Sequence, residues 1–489
     1  MARSKSKSHI LELELCFDHA NPSSVLEHAS NSATSIYNAA LGECLKRYRK
    51  LCYDRRYQEL QKEYKEARKT KTPLKAFNER YKELFLEYDY SEYSLQKYTG
   101  DIRNNHYPAF GAAETQALAT RAFNAVEKLR LGKAEHVRFH RMRDGTSFEG
   151  KSHTSKLHYC EDDGCIQYGR YKFRLKIKPN DEYAQLCMMD RIKYVRVLKR
   201  TIRHKTRWFC QLILEGIPPA KNTVYGNSAG GIDEGTSTIA VVTDHSAHLY
   251  ELAPECRVDE KKLRRIQRAM DRSRRATNPE NFNQDGTIRK GKRLTWKYSK
   301  RYLRLRSELQ EIHRHLHVIK EISHHRLARE ILKEASDLKV ETMSMQGLAK
   351  RSRKHSVRQT NGRINSKKRY GKTISRRSPA RLIKILDEKL SYIGKRVIRI
   401  DTCKVKASQY NPLDGSYKKK ELRDRMIELD EGVIIQRDLL SAYCILNTTE
   451  TNDQIDADKT FLQFDRFKLH HDMEINRLRA NSQLNWYIS

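Results

Sequence analysis

Three acidic residues in the second half of the chain have the type and setting that phosphodiester hydrolysis needs. Asp233 lies in Gly231-Ile-Asp-Glu-Gly235, behind an apolar residue and ahead of a glycine. Glu341 follows Leu338-Lys-Val and precedes Thr342-Met343, and Asp438 opens the otherwise apolar Asp-Leu-Leu-Ser-Ala-Tyr-Cys-Ile-Leu. Hydrolysis at neutral pH needs an activated water and relief of the charge that builds on the attacking and leaving oxygens. Two divalent cations roughly 3.5–4 Å apart supply both. Mg2+, or Mn2+ in its place, prefers hard oxygen ligands, so Asp and Glu are the residues to hold them. A carboxylate on an apolar element costs desolvation unless it is paired or holds a cation. Each acid also has a structural alternative: a turn for Asp233, an arginine partner for Glu341, a helix N-cap for Asp438. Three together, in this element order, favour the cation site.

For such remote acids to meet, the elements carrying them must converge. Gly231-Ile-Asp-Glu-Gly, Ser237-Thr-Ile-Ala-Val-Val-Thr and Ala247-His-Leu-Tyr-Glu-Leu predict three successive strands with short turns. A long helical stretch follows, broken near Asn278 to Gly291 and resuming with Leu309, Ile312, Leu316 and Ile319 on one face. Leu338 to Met343 predicts a short strand. Ser378-Pro379 predicts a helix start, with Ser as the cap and Pro in the first turn, and Leu382, Ile385, Leu386 and Leu390 as its buried face. Val397 to Asp401 predicts another strand, and Arg437 to Leu446 a last helix. In a ribonuclease-H-like α/β fold the acids come from the first strand, a later strand and a terminal helix, and this element order suits that fold.

The first half has a different texture. Residues 9–18 alternate apolar and polar and predict a strand. From about 22 to 131 the spacing is helical: Tyr57, Leu60, Tyr64 and Ala67 share a face, and Thr115 to Leu129 is rich in Ala. The tyrosines from Tyr37 to Tyr107 could stack on the bases of a single strand; the core of a helical bundle is the plainer expectation for most of them. Strand texture returns over 134–216, where Arg170 to Lys178 sets Lys and Arg on one face and apolar residues on the other. The helical block therefore reads as an insertion in a β-domain, and Ile217-Pro-Pro-Ala-Lys begins a linker.

Charge narrows the function classes. Among 489 residues, 97 Lys and Arg face 61 Asp and Glu, a formal +36. Such an excess repels itself in the folded state and fits a protein that meets a polyanion. No hydrophobic run is long enough to span a bilayer, and the start, Met1-Ala-Arg-Ser-Lys-Ser-Lys, leads into alternating residues, not an apolar signal core. A cytoplasmic, nucleoid-associated setting is expected. Ten scattered cysteines suit a reducing compartment. Cys160 and Cys165, near His153 and His158, could bind zinc, but a hairpin turn at Asp163-Gly164 explains the segment equally well. Two basic segments are candidates for phosphate contact. Arg264, Arg265, Arg268 and Arg272 lie in a basic helical pair, and Lys350, Arg351, Arg353, Lys354, Lys367, Lys368 and Arg369 lie in a stretch, 349–381, without an acid.

Gly231 to Val242 is similar to the first RuvC motif of the TnpB transposon-encoded nucleases and the compact type V CRISPR effectors. Val340-Glu-Thr-Met-Ser resembles their second motif, and Arg437-Asp-Leu-Leu-Ser-Ala-Tyr their third. The resemblance implies metal-ligand and catalytic roles for Asp233, Glu341 and Asp438, and RNA-guided cleavage of DNA next to a short adjacent motif, with guide RNA and target DNA as partners. It implies a multidomain α+β chain: a wedge-like β-barrel domain (1–21 and 132–218), an inserted helical recognition domain (22–131), a RuvC nuclease domain (219–449) and a tail (450–489) with no assigned role. One departure stands out. The family commonly carries a four-cysteine zinc ribbon before its third motif, whereas this chain has no cysteine between Cys403 and Cys444. The corresponding insert, 402–436, is expected to bind no structural zinc and to be held by side-chain packing or to be partly mobile.

Overall fold

A computed structural model of the chain describes residues 7–70, 72–219, 223–291, 294–350, 370–419 and 424–481, with the backbone of 357–358 and 364–365. It divides into two compact units, Met1–Pro219 and Ala220–Ser489. No helix among the described residues is long and apolar enough to cross a membrane.

In the first unit β1 (Ser8–Leu15) precedes five helices: α1 (Ser23–Tyr53), α2 (Arg55–Lys69), α3 (Lys75–Glu87), α4 (Glu92–His106) and α5 (Ala112–Arg130). Strands β2 (Phe148–Glu149), β3 (Leu157–Cys160), β4 (Cys165–Tyr168) and β5 (Tyr171–Lys176) follow. After them come α6 (Glu182–Cys187), β6 (Ile192–Ile202) and β7 (Lys205–Glu215). They form one seven-stranded sheet in the order β2-β6-β7-β1-β5-β4-β3, and β3 folds round against β6, so the sheet is nearly a closed barrel. Most helical-block tyrosines do what a bundle core requires. Tyr57 and Tyr90 are buried, and Tyr57, Tyr64, Tyr81, Phe77 and Phe85 meet edge-on or tilted. Tyr53 and Tyr93 remain exposed. Cys160 and Cys165 face one another across the β3–β4 hairpin, whose turn uses Gly164 at φ +59°.

The second unit is built on five strands: β8 (Ser228–Glu234), β9 (Thr238–Thr243), β10 (Ala247–Glu251), β11 (Ala335–Glu341) and, later in the chain, β14 (Ile398–Ile400). Their order is β10-β9-β8-β11-β14. The first three are an antiparallel meander, while β8, β11 and β14 run parallel. Parallel strands need long crossovers. Helices α7 (Glu260–Thr277) and α8 (Lys300–Glu334) supply the first. The second holds α9 (Met345–Ala349), the short pair β12 (Val357–Arg358) and β13 (Ile364–Asn365), α10 (Gly371–Arg377) and α11 (Pro379–Tyr392). Then come α12 (Thr402–Val405), the hairpin β15 (Met426–Asp430) and β16 (Val433–Gln436), and helices α13 (Arg437–Leu446), α14 (Ala457–Leu462) and α15 (Phe464–Ala480).

Both faces of this sheet are covered, which is why β9 is buried along its whole length and apolar between its two terminal threonines. Ile232, Ile239 and Val241 pack on α8 and α11; Ala240, Val242 and Leu249 pack on α13 and α15. Tyr410, Ile427 and Ile435 bury into the same core as α13, so packing holds the described part of the 402–436 insert. Two expectations need correction. Ser378 does not cap α11 with its hydroxyl: it takes left-handed backbone angles (φ 49°) at the junction of α10 and α11, and Oγ accepts from Lys320 Nζ at 3.2 Å. Nor is α13 the last helix, because α14 and α15 follow and Phe464, Phe467, Ile475 and Leu478 pack into its core.

Helix α13 approaches β8 closely because Gly231 has no side chain. A Cβ there would lie 2.1 Å from the Ala442 carbonyl oxygen and 2.4 Å from Leu446 N. Both are backbone atoms and cannot move aside alone. Gly231→Ala is therefore expected to cost about 1–3 kcal/mol of overpacking and to lower the thermal midpoint by several degrees in calorimetry. An unchanged midpoint would contradict the close approach.

Candidate active site

The register of β8 and β11 brings two of the acids together. Ile232 and Val340 pair across the parallel strands, and both are buried against α8 and α11. Side chains alternate along a strand, so the next residues, Asp233 and Glu341, emerge on the other face at the carboxyl ends of neighbouring strands. That face is covered by α13, which carries Asp438 in its first turn. A carboxylate is favoured there by the partial positive charge of the helix N-terminus.

The three differ in how their charge is met. Glu341 is 5 % exposed, and its Oε1 has no hydrogen-bond partner among the described residues. Burial pushes its carboxyl up to about 7, and no arginine among the described residues satisfies that oxygen. Asp233 is half-buried in the strand, not in a turn. Its pKa is raised well above the ordinary value, first by burial and then by the negative charges of Asp438 and Glu341. The Ser441 hydroxyl and the Arg437 guanidinium act in the opposite direction, although Ser441 Oγ makes no well-formed hydrogen bond. Asp438 accepts from Arg437 Nη2 at 2.9 Å and Nε at 3.1 Å, and from Arg425 Nη1 at 3.3 Å. It is not the cap of α13. Gln436 is, through an oxygen that accepts from Leu439 N at 2.8 Å.

The donor set fits a divalent cation chemically: three carboxylates, two raised by burial, one with an orphaned oxygen. Among the described residues no group of three or more His, Cys, Asp or Glu is gathered closely enough to hold a metal ion as it stands. Both Asp438 oxygens are engaged by guanidinium groups.

Residues beyond the three acids shape the site. His471 on α15 is 1 % exposed; its Nε2 accepts the Gln436 N–H at 2.9 Å, and its Nδ1 lies 2.8 Å from Asp472 Oδ1. The proton is therefore on Nδ1, and the imidazole fixes the turn that delivers Asp438. His471→Ala leaves a buried N–H without an acceptor, a loss of about 1–3 kcal/mol. A fall of several degrees in thermal midpoint is expected; no fall would detach α15 from the site. Glu234 is the other acid not anticipated. It is 2 % exposed on the opposite face from Asp233, with Oε1 unpartnered, and burial pushes it up to about 7 against the Arg399 charge. Its sequence signal was present, an acid ending an apolar strand, but alternation aims it away from Asp438.

Among the basic candidates, Arg264, Arg265, Arg268 and Arg272 are exposed on α7, and Lys350 is exposed after α9. Arg264 lies 3.9 Å from Glu260. Arg351, Arg353, Lys354, Lys367, Lys368 and Arg369 lie outside the described residues.

No protein-family model matches the chain, and no curated protein matches it. Among solved structures it is similar to one described as "Cryo-EM structure of the Cas12f1-sgRNA-target DNA complex", at 13 % identity and TM-score 0.41, covering 91 % of this chain and 99 % of that one. A second, "Cryo-EM structure of CRISPR-Cas12f Ternary Complex", is matched at 14 % identity and TM-score 0.24, over 87 % and 81 % of the two chains. Superpositions this loose assign no residue a role.

Proposed function

We propose that the chain is an RNA-guided DNA endonuclease that cuts beside a short adjacent motif, with Asp233, Glu341 and Asp438 of a ribonuclease-H-like RuvC domain as its catalytic carboxylates. The observation that carries the cutting half is the meeting of β8, β11 and the first turn of α13, each delivering one acid to one end of the sheet. The guided half rests on the motif resemblance, with the +36 charge in support. Guide RNA and target DNA are its proposed partners, in the cytoplasm at the nucleoid, and base pairing would supply sequence specificity.

Divalent ions, Mg2+ or Mn2+, held by the three carboxylates would supply an activated water and relief of charge on the phosphate. The chain's own groups prepare that site. Burial keeps Asp233 and Glu341 inclined to hold protons, so both must release them before they can act as ligands. Arg437 and Arg425 neutralise Asp438 and must give up at least one of its oxygens. Arg264, Arg265, Arg268, Arg272 and the 349–381 segment are proposed to track phosphates. No structural zinc is proposed in the 402–436 insert, since it has no cysteine after Cys403.

The arginine pairs of Asp438 favour a second reading, a guided DNA-binding protein that does not cut. Sequencing the RNA that co-purifies with the chain tests what the two readings share. A discrete RNA species is expected, and random cellular RNA would overturn both.

A further inference from the structure

The N-terminal unit contains a cavity of about 530 Å3 between the start of α1, the α4–α5 connection and the β3–β5 strands. That size lies within the range of pockets that enclose a small ligand, roughly 300–1,000 Å3. Its lining has two chemistries. Tyr107, Phe110, Tyr168 and Tyr171 contribute rings, and His28, His106 and Lys156 contribute groups that are or can become cationic. No acidic side chain among the described residues lines it. Glu114, which feels the Lys156 charge, is fully buried, with Oε1 accepting the Leu157 N–H at 2.6 Å.

Lys156 links the two chemistries. Its ammonium stands 4.9 Å from the centre of the Tyr168 ring and donates to the Ala109 carbonyl, leaving two of its three N–H donors for a ligand. His28 is exposed at the rim, and Tyr171 is half-buried beside it. An apolar ligand would leave the cations unanswered, and an inorganic anion would leave the rings unfilled. One ligand class answers both: a flat aromatic base joined to a phosphate.

We infer that this cavity is a binding pocket for a single unstacked nucleotide, its base against the tyrosine rings and its phosphate on Lys156 and His28. The ligand is a nucleoside 5′-phosphate, either free or as one residue of a strand. The inference goes beyond the cleavage reading: the unit carries none of the three carboxylates, and its test involves no cleavage, so either can fail alone.

The test uses the full chain freed of co-purified RNA. Adenosine 5′-monophosphate and adenosine are titrated calorimetrically, and a DNA oligonucleotide carrying one 2-aminopurine is followed by fluorescence. Saturable binding of the monophosphate is expected, weaker binding of adenosine, and quenching of the 2-aminopurine. Tyr171→Leu should weaken binding about tenfold or more, as loss of one stacking face does. Lys156→Gln and the rim variant His28→Gln should weaken the monophosphate but leave adenosine unchanged. Quenching that falls in the same variants assigns the pocket to a strand nucleotide; monophosphate binding without quenching assigns it to a free one. No saturable binding, or wild-type affinity in folded Tyr171→Leu and His28→Gln, overturns the inference.

Discussion

Replacing Asp233 by Asn is expected to reduce DNA cleavage in Mg2+ by at least about a thousandfold, or roughly 4 kcal/mol of barrier. Affinity for RNA and DNA should stay within about twofold. The carboxylate sits near the end of β8, and the negative charges of Asp438 and Glu341 already oppose its ionisation. The amide keeps the shape but removes the charge a cation needs. It also relieves the repulsion, so the variant should be at least as stable as wild type, and lost cutting could not be ascribed to unfolding. Nucleic-acid affinity is proposed to rest on exposed cations elsewhere, such as those of α7. Equal cleavage by Asp233→Asn would place the reactive centre elsewhere.

The second large effect is an inversion of stability with pH. Glu341 has its folded pKa raised from the ordinary 4.5 to about 7 by burial. Between those two values the folded chain keeps a proton that the unfolded chain has released. Metal-free stability should therefore fall as pH rises from about 4.5 to 7 and stay low above it. Glu341→Gln carries no charge at any pH, so at pH 8 it should be more stable than wild type by about 1–3 kcal/mol. Added Mg2+ should reverse the order. It stabilises wild type in proportion to its occupancy, while the Gln variant, lacking one ligand charge, should respond weakly. Thermal midpoints at pH 5 and pH 8, with and without Mg2+, check this. A Gln variant less stable than metal-free wild type at pH 8 would show that Glu341 is a satisfied structural acid.

How much of this was legible from residues alone follows from the range of the interactions. The strand carrying Asp233 is announced by Ile232 and by the apolar Ile239 to Val242 run that pairs with it, and an acid at the head of an apolar helix announces Asp438. Local periodicity carries both. Ser441 was visible too, three residues beyond Asp438 on the same helix face. Glu341 was the least legible, because a short strand bordered by charged segments says little about which face its last residue takes. The Ile232–Val340 register settles that. What supports Asp438 was not legible at all. Gln436 reaches His471 across 35 residues, and the second guanidinium comes from Arg425. Single hydrogen bonds between remote residues leave no period in a sequence. The helical texture of 464–480 could be seen, but not that it builds the core beneath the site. Ser378 misled for a local reason: Ser before Pro is a good cap signal, but this Ser is the single residue between α10 and α11 and takes left-handed backbone angles there.

The central claim is that three carboxylates from β8, β11 and α13 form one divalent-ion centre. Anomalous diffraction from crystals of the wild-type chain soaked in Mn2+ tests it most directly. The carboxylate centre predicts an anomalous peak about 2 Å from oxygens of Asp233, Glu341 and Asp438, with Asp438 drawn off Arg425 or Arg437, and no peak in Asp233→Asn. A peak bound elsewhere, or none in crystals of protein that cuts DNA in Mn2+, would contradict it.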